Sequence, residues 1–231
     1  MLFQSYIFIL LFFPLCLLGF WGLKRQKLLQ LWLIAFSLWF YGAASPYYLL
    51  LLLGSIAWNY AFFCAIERGI GRVTERVSGN AMERAEYGME RDSSRKRLLL
   101  GIGIAGNLAL LCFFKYFNAI SAGWSQMKGL EDPILQLALP LGISFFTFQQ
   151  IGFLADAYKG EVGACSLREY VLFVSFFPYV SSGPIVNAQE MLPQYRQIGR
   201  QRLDWAKFAG GLYLFALGLS KKVLLADTFG K

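Results

Sequence analysis

Residues 139–160 read LPLGISFFTFQQIGFLADAYKG, and the classification of this stretch decides the fold. It is apolar enough to enter a bilayer and matches the ~20 residues a spanning helix needs. It also carries Gly142, Ser144, Thr147, Gln149, Gln150, Gly152 and Asp156. Unsatisfied polar groups are costly in hydrocarbon, so such a segment turns some of them toward protein or water. At about 100° per residue, Gln149, Gly152 and Asp156 stack on one helix face with Gly142 close by. Ser144 and Thr147 fall on the other side, where their hydroxyls have backbone carbonyls within reach. The stripe has two readings: the wall of a polar cavity, or a seam that glues helices while Asp156 reaches the cytoplasmic interface.

The rest of the chain has the same character. It is 57% hydrophobic and only 16% charged, against about 45–50% and 25% in soluble domains. Composition therefore predicts an all-α, polytopic membrane protein with a single membrane domain over residues 1–231. Six apolar runs stand out, with a seventh behind them: 2–23, 28–41, 46–66, 98–117, 135–157, 170–182 and 208–220. The runs 28–41 and 170–182 fall short of a perpendicular span and suit a tilted or re-entrant path. Trp21, Trp32, Trp39, Tyr41, Tyr47 and Tyr48 sit near run ends, as an interfacial aromatic belt places them.

Basic residues set the expected orientation. The first run lacks a basic n-region and is followed by Lys24, Arg25 and Lys27, which predicts a retained helix with its N-terminus outside. Alternation then puts the polar stretch at about 67–97 inside, as a solvated loop with some helix. Residues 158–169 fall inside, 183–204 outside, and Lys221 and Lys222 inside. Arg196, Arg200 and Arg202 land on the wrong side, so 183–204 is expected to fold back or to lie along the surface. The formal charge of +8 is spent at membrane edges, a pattern that argues against nucleic acid as a partner. Four scattered cysteines and no histidine leave no metal-ligand spacing and no disulfide framework.

The remaining motifs read modestly. GIGIAG at 101–106 matches a dinucleotide fingerprint but lacks the preceding strand, so small residues for close helix approach explain it. FFPYVSSGPIV at 176–186 breaks regular helix at Pro178 and Pro184, at the surface or in a re-entrant turn. Lys221 and Lys222 close an apolar run, where lysines snorkel and fix topology or attract an anionic cofactor or lipid head group. Without histidine there is no Ser/His/Asp or Cys/His arrangement, and Asp156 is the one acid placed to act as a base.

Three segments in order resemble the membrane-bound O-acyltransferase family, in its bacterial branch typified by alginate O-acetylation proteins. They are 140–160, 176–186 and 218–227 (GLSKKVLLAD), with FFKYFN at 113–118 just ahead. The resemblance implies about six to seven membrane helices forming half of a helix ring around a tunnel, in the bacterial inner membrane. It implies an N-terminal part of an enzyme that moves an acyl group, most simply acetyl, to an extracytoplasmic polysaccharide. The donor is acetyl-CoA or another acyl donor, taken as substrate with no bound cofactor. The lipid bilayer and other polymer-modification or export proteins are the implied partners. The family's presumed catalytic histidine has no counterpart here, so no catalytic residue is assigned in this chain, which is expected to be inactive alone. Thr147, Gln149 and Asp156 would line the tunnel, with Lys221 and Lys222 near its cytosolic mouth. Tyr179 departs from the glutamine that relatives often carry before the GPI turn. A small transporter or channel using the Gln149–Asp156 stripe, and a non-catalytic scaffold of a polymer-export complex, are the alternative readings.

Overall fold

The computed structural model describes residues 3, 5–23, 25–77, 82–128, 137–181, 183–184, 186–199 and 204–229, with the side chains of 68–77, 82–93, 225 and 227 outside that description. The described residues form helices and no strands. In chain order they are α1 (Phe13–Gly22, preceded by a π-turn at Phe8–Phe12), α2 (Gln26–Gly42), α3 (Pro46–Val77), α4 (Met82–Met127), α5 (Ile143–Lys159), α6 (Leu167–Ser175), α7 (Phe177–Val180), α8 (Ala188–Gln197) and α9 (Trp205–Ser220). The expected polar loop at 67–97 is largely helical, because α3 runs on to Val77 and α4 begins at Met82.

Two stretches are long and apolar enough to cross a bilayer, Pro46–Glu67 within α3 and Ser94–Met127 within α4, and Phe8–Gly22 is a shorter apolar helix. Six to seven membrane helices are expected from the sequence; among the described residues, length and composition alone pick out these two. α5, with 17 residues, is about 25 Å long, less than the ~30 Å of a hydrocarbon core.

The largest packed pairs are α3 with α4, α4 with α5, and α2 with α6. Aromatic rings fill the core in two groups. Phe177 sits among Phe8, Phe12 and Phe40, with its centroid 5.2 Å from that of Phe12. Phe153 sits among Phe63, Tyr170 and Phe173, 4.7 Å from Tyr170. Edge-on and tilted pairs of this kind add roughly 0.5–1.5 kcal/mol beyond their buried area.

The start of α5 is pinned at one end of the bundle. Tyr41 Oη at the end of α2 donates to Leu141 O at 2.9 Å, and Tyr48 Oη at the start of α3 donates to Ala138 O. Asn118 of α4 holds Leu137 from both sides, donating to its carbonyl at 2.7 Å and accepting its N–H at 2.8 Å. Gly142 then turns the chain into the helix at φ 68°. That conformation suits glycine, and a Cβ there would collide with the carbonyl oxygen of Val180.

α6 starts at the opposite end, where Ser166 and Glu169 form a capping box, and α7 finishes with Val180 against Gly142. The chain then returns. Gln189 of α8 donates to Glu161 at 2.9 Å, and Arg196 reaches the Ala164 carbonyl and Glu169. Residues 167–197 therefore enter and leave at the same end of the bundle. The described part of 183–204 thus folds back, as the stray arginines suggest, and Arg196 lies at the end occupied by Glu161–Glu169, while Arg200 and Arg202 lie outside the described residues. The break comes from Phe176, whose ψ of 113° interrupts helix, and from Pro178 in the first turn of α7.

Candidate functional site

Four helices share a run of buried polar side chains in the interior. Tyr170 Oη donates to Gln150 Oε1 at 3.1 Å, and Gln150 Nε2 donates to Ser55 Oγ at 2.8 Å. One turn further along α3, Asn59 pairs reciprocally with Asn107 of α4 at 2.6 and 3.0 Å. Each asparagine also bonds its own helix, Asn59 to Ser55 O and Asn107 to Gly103 O. Gln150, Asn59 and Tyr170 are completely buried. Buried polar groups persist when they are satisfied, and these are satisfied by one another.

The residues expected at the site are dispersed. Gln149 is buried, and its Nε2 donates to Phe173 O at 3.0 Å, a bond from α5 to α6. Thr147 is fully buried on the opposite face of α5, and its hydroxyl has no hydrogen-bond partner, not even the backbone carbonyl expected for it. Gly152 is exposed, and Asp156 is half-buried at the far end of α5. Lys221 and Lys222 are exposed at the end of α9, in a π-turn (Lys221–Ala226) that packs mainly on its sequence neighbours. Gln149 and Asp156 thus lie two turns apart on one face of α5 with Thr147 on the other, and the lysines are not gathered to them.

Sequence reading missed Gln150, Ser55, Asn59, Asn107 and Tyr170. The signal for the asparagines was visible, since each is a lone amide inside an apolar run, where amides hydrogen-bond across helices. Gln150 was hidden because it lies about 100° from the Gln149 stripe.

At the end where the chain folds back, the electrostatics centre on Glu169. Burial works to raise its carboxyl, but the Arg196 guanidinium 2.9 Å away and the bonds from Ser166 outweigh it and hold the carboxyl below its ordinary value. The same bond raises Arg196. Among the described residues, no three His, Cys, Asp or Glu side chains converge on a metal-sized site.

The geometry is all-helical among the described residues: two helices long and apolar enough to cross a membrane are joined by buried amides, beside a segment that doubles back. Sequence comparison then supplies the family. The chain is 35% identical, over 99% of its length, to a peptidoglycan O-acetyltransferase of Helicobacter pylori. It is 32% and 30% identical to the alginate O-acetylases AlgI of Pseudomonas putida and Pseudomonas aeruginosa, again over 99% of its length. These relatives are members of the membrane-bound O-acyltransferase family, and the similarity to them runs along the whole of this chain. The chain spans 45%, 43% and 40% of those three relatives respectively, less than half of each. No family model and no solved structure matches the chain.

Proposed function

We propose that this chain is part of an enzyme that transfers an acyl group, most simply acetyl, to an extracytoplasmic polysaccharide. It would do so in the bacterial inner membrane, with its N-terminus outside. The observation that carries this reading is the similarity, along 99% of the chain, to a protein named for O-acetylating peptidoglycan and to others named for alginate. The donor is acetyl-CoA or another acyl donor, and other polymer-modification proteins are the expected partners.

Acyl transfer to a hydroxyl needs a base for the hydroxyl proton and an acid for the leaving group. A histidine serves both near neutral pH, and this chain has none. Its part is then to bind and position. Gln149 braces α5 against α6, and Thr147 and Asp156 offer polar groups along α5. Lys221 and Lys222 provide charge for an anionic donor at the cytosolic side.

The test uses a host lacking its own O-acetylation. The chain is expressed alone, and together with the part of the Helicobacter relative that it does not cover. Radiolabelled acetyl in the polysaccharide is the readout. The expected result is none from the chain alone and label above background from the pair. Absence of label from a pair that demonstrably assembles, together with solute flux through liposomes holding the chain alone, would replace this reading with a transporter.

A further inference from the structure

Between α7 and α8 the chain passes through the depth of the bundle without helix. Val180 packs on Gly142 at the start of α5, and Gln189 bonds to Glu161, just past the other end of α5. Pro184, Val186 and Asn187 lie between those points in no regular structure. Their depth follows from α5. Gln150 in its middle bonds to Ser55, near the middle of the bilayer-length stretch Pro46–Glu67. Leu154 packs on Gly103, within the other such stretch, Ser94–Met127. The connection therefore crosses a level that hydrocarbon occupies in a membrane.

Three observations define what faces it. The first is unpaired backbone. Neither the N–H nor the carbonyl of Val186 bonds to another described residue, and Pro184 has no N–H to offer. Non-helical backbone at membrane depth is kept only where protein or water covers it, since each unsatisfied group costs several kcal/mol in lipid. The second is exposure. Pro184 and Asn187 are exposed and Val186 is half-buried, so this chain does not cover them itself. Asn187 stands at the N-cap of α8 without a capping bond from its side chain. A spanning helix laid over the connection would not satisfy Val186, because its own backbone is bonded internally. Water satisfies both groups. The third is the polar wall behind. Ser181 Oγ and Tyr195 Oη are buried without a hydrogen-bond partner. Tyr179 ties them to the connection, sharing the Phe176 ring with Tyr195 at 5.6 and 5.8 Å and meeting Gly183 in close contact.

We propose that Pro184, Val186 and Asn187 line a water-filled cavity within the membrane region, which admits small hydrophilic molecules. It opens at the end of the bundle that carries Glu161, Glu169 and Arg196, because Val180 against Gly142 closes the other end. The proposal rests on the membrane reading given above and is independent of acyl transfer.

The test uses the full chain in phospholipid nanodiscs, with Cys16, Cys64, Cys112 and Cys165 replaced by alanine and single cysteines introduced elsewhere. The probe is trimethylammonioethyl methanethiosulfonate, a charged reagent that does not enter lipid, and modification is followed by mass spectrometry. Val186→Cys and Asn187→Cys are expected to react at rates close to that of Gln194→Cys on the exposed side of α8. They should react severalfold faster than Leu108→Cys and Leu214→Cys, exposed apolar positions of α4 and α9 that lipid covers. Reaction at 186 and 187 as slow as at the two leucine positions overturns the proposal and leaves the membrane reading standing. Fast reaction at all four positions overturns the membrane reading and the proposal with it. Should the cysteine variants fail to fold, amide exchange in the unaltered chain decides. The Val186 amide is expected to exchange close to its intrinsic rate, and protection equal to that of Leu154 inside α5 overturns the proposal.

Discussion

Gly142 meets two demands at once: a left-handed backbone and a carbonyl oxygen where its Cβ would be. Gly142→Ala is expected to lower the thermal midpoint in detergent by an amount equivalent to more than about 2 kcal/mol. Gly152→Ala is the control, because a Cβ there meets open space. It should be neutral or stabilising by up to about 1 kcal/mol. The asparagine pair invites a different experiment. Asn107→Leu leaves Asn59 buried without its partner and should cost about 1–2 kcal/mol. The Asn59→Leu, Asn107→Leu double variant should cost less than the sum of the single changes, and simple additivity in the melts would contradict the pairing. At this scale the sequence was only partly legible. Polar residues inside apolar runs announced themselves, but which amide meets which was not readable. Ser55 and Gln150, 95 positions apart, are joined by the way three helices pack.

Among elements, the stretch from α6 to α8 has the most to test. Its end is held by Glu169 and Arg196. Glu169 is lowered in the folded protein, so its contribution is fully present above its unfolded value, about 4.3, and is lost as pH falls through the lower folded one. Protection of the amides across Ala188–Gln197, taken relative to their intrinsic exchange rate at each pH, should stay high at neutral pH and fall only in that acidic window. Glu169→Gln should abolish the pH dependence, and protection that falls equally in both proteins would remove Glu169 from the explanation. Because Arg196 is part-exposed, the effect is local, loosening α8 without unfolding the bundle. The prolines and Gly183 of 176–186 made a break readable from sequence, and the stray arginines hinted at its direction. The direction itself depends on a bond between residues 27 apart in sequence, which no local pattern encodes.

For the molecule as a whole, helical class and family were legible from composition and from the ordered motifs. How the shorter apolar runs pack was not, because their position depends on neighbours rather than on length. α9 is the exposed member. It has no buried residue, presents Leu212, Tyr213, Leu214 and Leu217, and meets α1 through Phe13–Phe215 and Trp21–Phe208 ring contacts. Unpartnered apolar surface of this kind promotes association. The purified chain is therefore expected to run as a mixture of oligomers by size exclusion with light scattering, and a single monodisperse monomer would refute this.

The anchoring of residues 137–142 has a consequence for biogenesis. Tyr41, Tyr48 and Asn118, which grip that lead-in, are all made before it. A chain emerging N-terminus first therefore presents a finished cradle of donors to backbone that is still arriving. A ribosome halted before residue 137 would therefore carry that cradle with nothing in it.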